Sequence, residues 1–106
     1  MRVVSLIIAA CAIAPAAAQS QAPETFPPEQ VKHGAATFAE YCTPCHGERM
    51  SNPELFNLRA FPKDQRARFI NSVTNGKNAM PPWRGQLQPD DIAALWSYVV
   101  TGEKDP

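Results

Sequence analysis

Apolar residues in this chain recur at helical intervals, and no stretch alternates apolar and polar positions as a half-buried strand would. Pro27 and Pro28 introduce a first pattern over residues 29–41, in which Val31, Ala35, Phe38 and then Cys42 fall on one side. A second pattern covers 63–74, with Ala67, Ile70 and Val73 turned inward and Asn75-Gly76 as its stop. A third begins at Pro89 and carries Asp90 and Asp91 in its first turn, where the helix dipole favours acids; it stops at Gly102. Its apolar stripe is Ile92, Leu95, Trp96 and Val99. An irregular stretch (48–61) and a loop (77–88) broken by Pro81 and Pro82 join these segments. The pattern predicts an all-α domain of three to four helices. Gly34 costs the first helix stability relative to alanine, so its presence predicts close approach by another helix.

The N-terminal 18 residues follow a different rule. Met1 and Arg2 precede an apolar run from Val3 to Ala14, and Ala16-Ala17-Ala18 supplies an A-x-A cleavage site before Gln19. The run is too short, and too quickly followed by polar residues, to span a membrane. Residues 1–18 therefore read as a signal peptide, 19–28 as a flexible, proline-rich lead-in, and 29–106 as the folded domain, which export would place in the periplasm. Ile8-Ala9-Ala10-Cys11 loosely resembles a lipoprotein cleavage box, but the apolar character continues past Cys11. Cys11 is read as a small apolar residue of the leader, with a lipid anchor there as the alternative.

Without the leader 88 residues remain, a size at which a hydrophobic core is marginal unless something adds to it. Loss of Arg2 leaves nine basic residues against ten acids, a formal charge of −1, so no positive excess points to nucleic acid. From Arg59 to Arg84, however, six basic residues (Arg59, Lys63, Arg66, Arg68, Lys77, Arg84) face a single acid, Asp64. Such a run solvates a face, pairs with anionic groups or steers a docking protein.

The chemistry concentrates in Cys42-Thr43-Pro44-Cys45-His46, with Gly47 next. C-x-x-C-H is the attachment signature of a c-type haem. Two thiols three residues apart on one helical turn can add to the two vinyl groups of one porphyrin, and the following imidazole reaches the iron. A thioredoxin-like dithiol would need a βαβ context that the pattern lacks. A structural zinc site needs four ligands; beyond the leader only Cys42, Cys45, His46 and His33 are on offer, and adjacent Cys45 and His46 would bind one metal awkwardly. A plain disulfide would leave His46 unexplained. For the second axial position the candidates are Met50, Met80 and His33. Met50 lies four residues from His46, too near to reach the opposite face, whereas Met80 lies 34 residues downstream in a loop stiffened by Pro81 and Pro82. Methionine is a standard partner of histidine in electron-transfer haems, so His46 and Met80 are the expected axial ligands. His33 reads as an exposed helix residue.

Over nearly all of the region beyond the leader the chain resembles the class I family of small c-type cytochromes. Three stretches carry the resemblance: C-T-P-C-H-G at 42–47, A-M-P-P-W at 79–83 and L-W-S-Y-V at 95–99. The resemblance implies a small cytochrome c fold around one covalent haem c, with first and last helices crossing where Gly34 and Phe38 meet Leu95, Trp96 and Tyr98. It also implies a proline carbonyl against the ring nitrogen of the proximal histidine. N-P-E-L at 52–55 gives that role to Pro53, with Leu55 and Trp83 as haem-packing residues; segment 48–52 departs from the family in lacking glycines. The implied function is single-electron transfer by a monomeric carrier, not an enzyme, with redox proteins as partners and no membrane span. The segment around A-M-P-P-W is also similar to cytochromes that accept electrons from quinoprotein alcohol dehydrogenases and pass them towards a terminal oxidase. The alternatives are a haem-based sensor with a labile Met80, or a peroxidase-like enzyme needing an open distal site.

Overall fold

The computed structural model describes residues 3, 5, 7–12, 24–54 and 57–102. Most of the leader and lead-in, Leu55 and the last four residues fall outside them. The elements run α1 (Pro28–Tyr41), α2 (Thr43–His46), a 3₁₀ turn (Glu48–Met50), a second 3₁₀ turn (Leu58–Ala60), α3 (Arg66–Asn75) and α4 (Pro89–Thr101). Among the described residues no strand forms; Lys77 with Met80 and Arg84 with Leu87 make isolated bridges. Among the described residues no helix is long and apolar enough to cross a membrane. The all-α expectation holds.

α1 opens on a proline at its first position, where the fixed φ suits a helix and the missing N–H costs nothing. It ends at Tyr41 because Pro44 cannot donate to the carbonyl four residues back and its ring would clash there. The chain restarts at once as α2. α4 opens with the Gln88 N–H donating to Asp91 Oδ2 at 2.8 Å and closes at Gly102, whose N–H reaches the Tyr98 carbonyl at 3.0 Å.

α1 and α4 cross at Gly34. A Cβ there would run into the Ala94 carbonyl and come within 3.0 Å of Tyr98 Cβ, so only glycine permits this approach. One turn along, the rings of Phe38 and Tyr98 lie 5.4 Å apart. His33 Nε2 meets Asp91 Oδ1 at 2.7 Å and ties the same two helices at the surface. The ring of Trp96, expected at this crossing, packs against Phe61 and Phe69 with centroids 6.0 and 5.2 Å away. Its Nε1 is buried with no acceptor among the described residues, a cost of about 1–3 kcal/mol that the aromatic burial must offset.

Two expectations change. The second helix begins at Arg66, not at 63, because the Gln65 N–H closes a turn on the Pro62 carbonyl at 3.2 Å and Gln65 leaves helical geometry. Its inward face is Phe69 and Val73 with Ile70 partly buried, while Ala67 is exposed. A larger ring wins the core position over a methyl because it removes more apolar area from water. α4 also buries more than its predicted stripe, since Ala94, Ser97, Tyr98 and Val100 join it in the interior.

Segment 48–52 lacks glycine yet turns sharply: Arg49 (φ 58°) and Met50 (φ 57°) both sit in the left-handed region. That region costs an L-residue roughly 1–2 kcal/mol. Two contacts hold it. Met50 is driven into the core at 1 % exposure, and the Arg59 guanidinium donates through Nε (3.1 Å) and Nη2 (2.8 Å) to the Arg49 carbonyl.

Candidate haem site

α2 presents the cysteines and histidine as one wall. The Cys45 and His46 N–H groups donate to the Cys42 carbonyl at 3.2 and 2.9 Å, and the Gly47 N–H reaches Thr43 at 2.9 Å. This single turn sets the two thiols and the imidazole over the same space.

The facing wall is the loop after α3. Lys77 and Met80 exchange backbone hydrogen bonds, both 3.0 Å, closing a tight turn over Asn78 and Ala79. Beyond the two prolines, Trp83 N–H donates to the Val73 carbonyl at 2.9 Å and Arg84 N–H to Thr74 at 3.3 Å, anchoring the loop on α3. Met80 is thus carried on a fixed turn, half-buried and aimed inward.

Between the walls lies a cavity of about 300 Å³ lined by Cys42, Cys45 and His46 on one side and Met80 on the other. Phe38, Phe61, Phe69, Val73, Leu95 and Val99 make its apolar floor, Tyr41 and Trp83 stand among its lining residues with rings 5.6 Å apart, and Arg68 and Lys77 bring positive charge to it. The residues fit a haem: two free thiols, an imidazole and a thioether share one apolar chamber. His46 Nδ1 is buried. Burial, reinforced by neighbouring Cys45, pushes the Cys42 thiol up to about 11, so it stays uncharged in this setting. Among the described residues no three His, Cys, Asp or Glu side chains are arranged to hold a bare metal ion. A wider groove of about 570 Å³ on the outer face of α3, lined by Arg66, Ile70 and Thr74, holds none of these groups.

Of the residues singled out in the sequence, Cys42, Cys45, His46, Met80 and Trp83 come together here. Met50 is in the core and does not line the cavity. His33 is exposed, bonded to Asp91, and also does not line it. Pro53 is exposed in the turn after Asn52, and Leu55 lies outside the described residues. Sequence reasoning missed Leu58, Phe61 and Phe69 as lining. The Phe69–Val73 spacing of four was available as a signal; nothing local marked Leu58 or Phe61.

A family model described as "Cytochrome C oxidase, cbb3-type, subunit III" matches residues 29–99, from the start of α1 through most of α4. The cytochrome c6 of Limnospira maxima is 36 % identical over 80 residues, covering 66 % of this chain and 90 % of that one. The cytochrome c6 of Synechocystis sp. is 34 % identical over 74 residues, 64 % of this chain and 62 % of the relative. The cbb3-type cytochrome c oxidase subunit FixP of Bradyrhizobium sp. is 38 % identical over 73 residues, 62 % of this chain but only 25 % of its own length.

Proposed function

The chain belongs to the class I family of small c-type cytochromes, and we propose that it is a periplasmic single-electron carrier whose iron is held between His46 and Met80. Membership of that family makes it an electron-carrier protein with one covalent haem c, not an enzyme. The haem, when bound, supplies an iron that accepts and releases one electron; His/Met ligation raises its potential relative to other ligand pairs. The protein's part is to attach, orient and cover it.

The observation that carries this reading is that Cys42, Cys45, His46 and Met80 line one apolar cavity although the methionine lies 34 residues beyond the histidine. Cys42 and Cys45 would form the thioethers, His46 and Met80 would supply the iron's two protein ligands, and Trp83 would lie beside the ring. In this reading the Pro53 carbonyl would accept from the His46 ring. A filled cavity joins the small core into one unit, which answers the shortage of apolar surface in so short a domain. The experiment is haem staining after a denaturing gel, with the mass of the purified chain: retained colour and a mass raised by one haem support it, and colour that washes off overturns it.

The leader reading gains support from Val3, Ile7 and Ile8, which are 90, 91 and 83 % exposed and add nothing to the core. They suit a signal peptide removed on export, with an anchor at Cys11 as the lipidated alternative. The partners in this reading are redox proteins: a quinoprotein alcohol dehydrogenase as donor and a terminal oxidase as acceptor. Lys77, Trp83 and Arg84 sit on or beside the Met80 loop, and such a small mixed patch suits brief, charge-steered encounters. Reduction by the dehydrogenase should slow with added salt and slow further in Lys77→Glu and Arg84→Glu. A salt-independent rate, unchanged in both variants, removes the steering.

A further inference from the structure

α2 is only four residues long, so its terminal carbonyls have almost no helix to pair with. One residue beyond the motif takes up two of them. The Asn52 N–H donates to the His46 carbonyl at 2.9 Å, and Asn52 Nδ2 donates to the Cys45 carbonyl at 3.1 Å. Its Oδ1 accepts the Glu54 N–H at 3.0 Å, a turn across Pro53 that fixes which end of the amide faces Cys45. Gly47 makes the approach possible. With φ at 76°, any Cβ at Gly47 would lie 2.8 Å from Asn52 N and 3.0 Å from Asn52 Cβ.

The loop that delivers Asn52 is itself braced. Met50 is sunk in the core and the Arg59 fork holds the Arg49 carbonyl, so the left-handed pair at 49 and 50 has one path to follow. Asparagine is the residue type these contacts require. Aspartate could accept from Glu54 but has no donor for Cys45, and alanine offers neither side-chain bond.

We propose that Asn52 is a positioning residue: by holding the carbonyls of Cys45 and His46 together, it sets the orientation of the His46 imidazole relative to the cysteine-bearing backbone. This rests on His46 being the axial ligand. The rotation of an axial imidazole about its bond to iron governs the magnetic anisotropy of the oxidised centre, which gives a readout that simple loss of stability does not move.

The test compares oxidised holoprotein of the wild type, Asn52→Ala, Asn52→Asp and the surface control His33→Ala, using electron paramagnetic resonance, haem-methyl NMR shifts and the urea midpoint. Both Asn52 variants should change the g-values and the methyl-shift pattern, because both lose the donor to Cys45. His33→Ala should lower only the midpoint. The exchange rate of the Asn52 backbone N–H should rise roughly fivefold in Asn52→Ala, the worth of about one net hydrogen bond. In the unaltered protein the Asn52 Nδ2 protons should be resolved and exchange slowly, a measurement that stands if the variants do not accumulate with haem. Nδ2 protons exchanging at the solvent rate, or Asn52 variants with wild-type magnetic spectra and only a lower midpoint, would overturn the role. A wild-type centre that is not low-spin would instead overturn the ligation by His46.

Discussion

Gly34 and Ala94 are in contact so close that the Ala94 carbonyl occupies the place where a side chain on residue 34 would begin. The α1–α4 crossing, which contributes Phe38, Leu95 and Val99 to the floor of the cavity, therefore depends on a missing methyl group. Gly34→Ala raises intrinsic helix propensity, yet it forces the helices apart. The expected net effect is a loss on the order of 3 kcal/mol, at the upper end for overpacked interiors. Urea denaturation measures it; a variant as stable as the wild type would mean that the crossing relaxes freely.

The same helices are tied at the surface by Asp91. The Gln88 N–H, and then His33, hold its carboxyl below the ordinary value of 3.8. A depressed carboxylate contributes stability that is fully present above the ordinary value and is lost as pH falls through the lower folded value. Asp91→Asn should therefore lower stability near neutrality and flatten the acid limb of the urea midpoint below about pH 5. An acid limb as steep as in the wild type would assign the loss to other carboxylates.

The two methionines beyond the leader are separated by their surroundings. Met50 is 1 % exposed and held in the core, so Met50→Ala should cost about 2–5 kcal/mol by loss of packing. Its haem spectrum should remain that of the wild type, because this side chain does not line the cavity. A changed spectrum at unchanged stability would reverse the assignment.

Much of this was legible in the chain. The cysteine and histidine spacing, the reach of Met80 and the need for glycine at 34 were readable locally; in the structure Cys42, Cys45, His46 and Met80 line one cavity and Gly34 lies against the Ala94 carbonyl. What escaped depended on contacts far apart in sequence. The 3.6-residue pattern over 63–74 is satisfied nearly as well by the Ala67 face as by the Phe69 face, and only Phe61 and Trp96 decide between them. The nearness of Met50 to His46 ruled it out as a ligand, but nothing in 48–52 signals that this segment will turn left-handed and drive it into the core. Asn52 was invisible as more than a turn residue, since its partners are backbone carbonyls with no sequence signature.

Whether Met80 completes the coordination opposite His46 is read from the sulfur-to-iron charge-transfer absorption of the oxidised holoprotein, recorded for the wild type and for Met80→Ala. The band should be present in the wild type and lost in Met80→Ala, together with a high-spin or ligand-accepting iron and a lower reduction potential. A wild-type protein without the band, or a band that persists in Met80→Ala, would contradict that ligation.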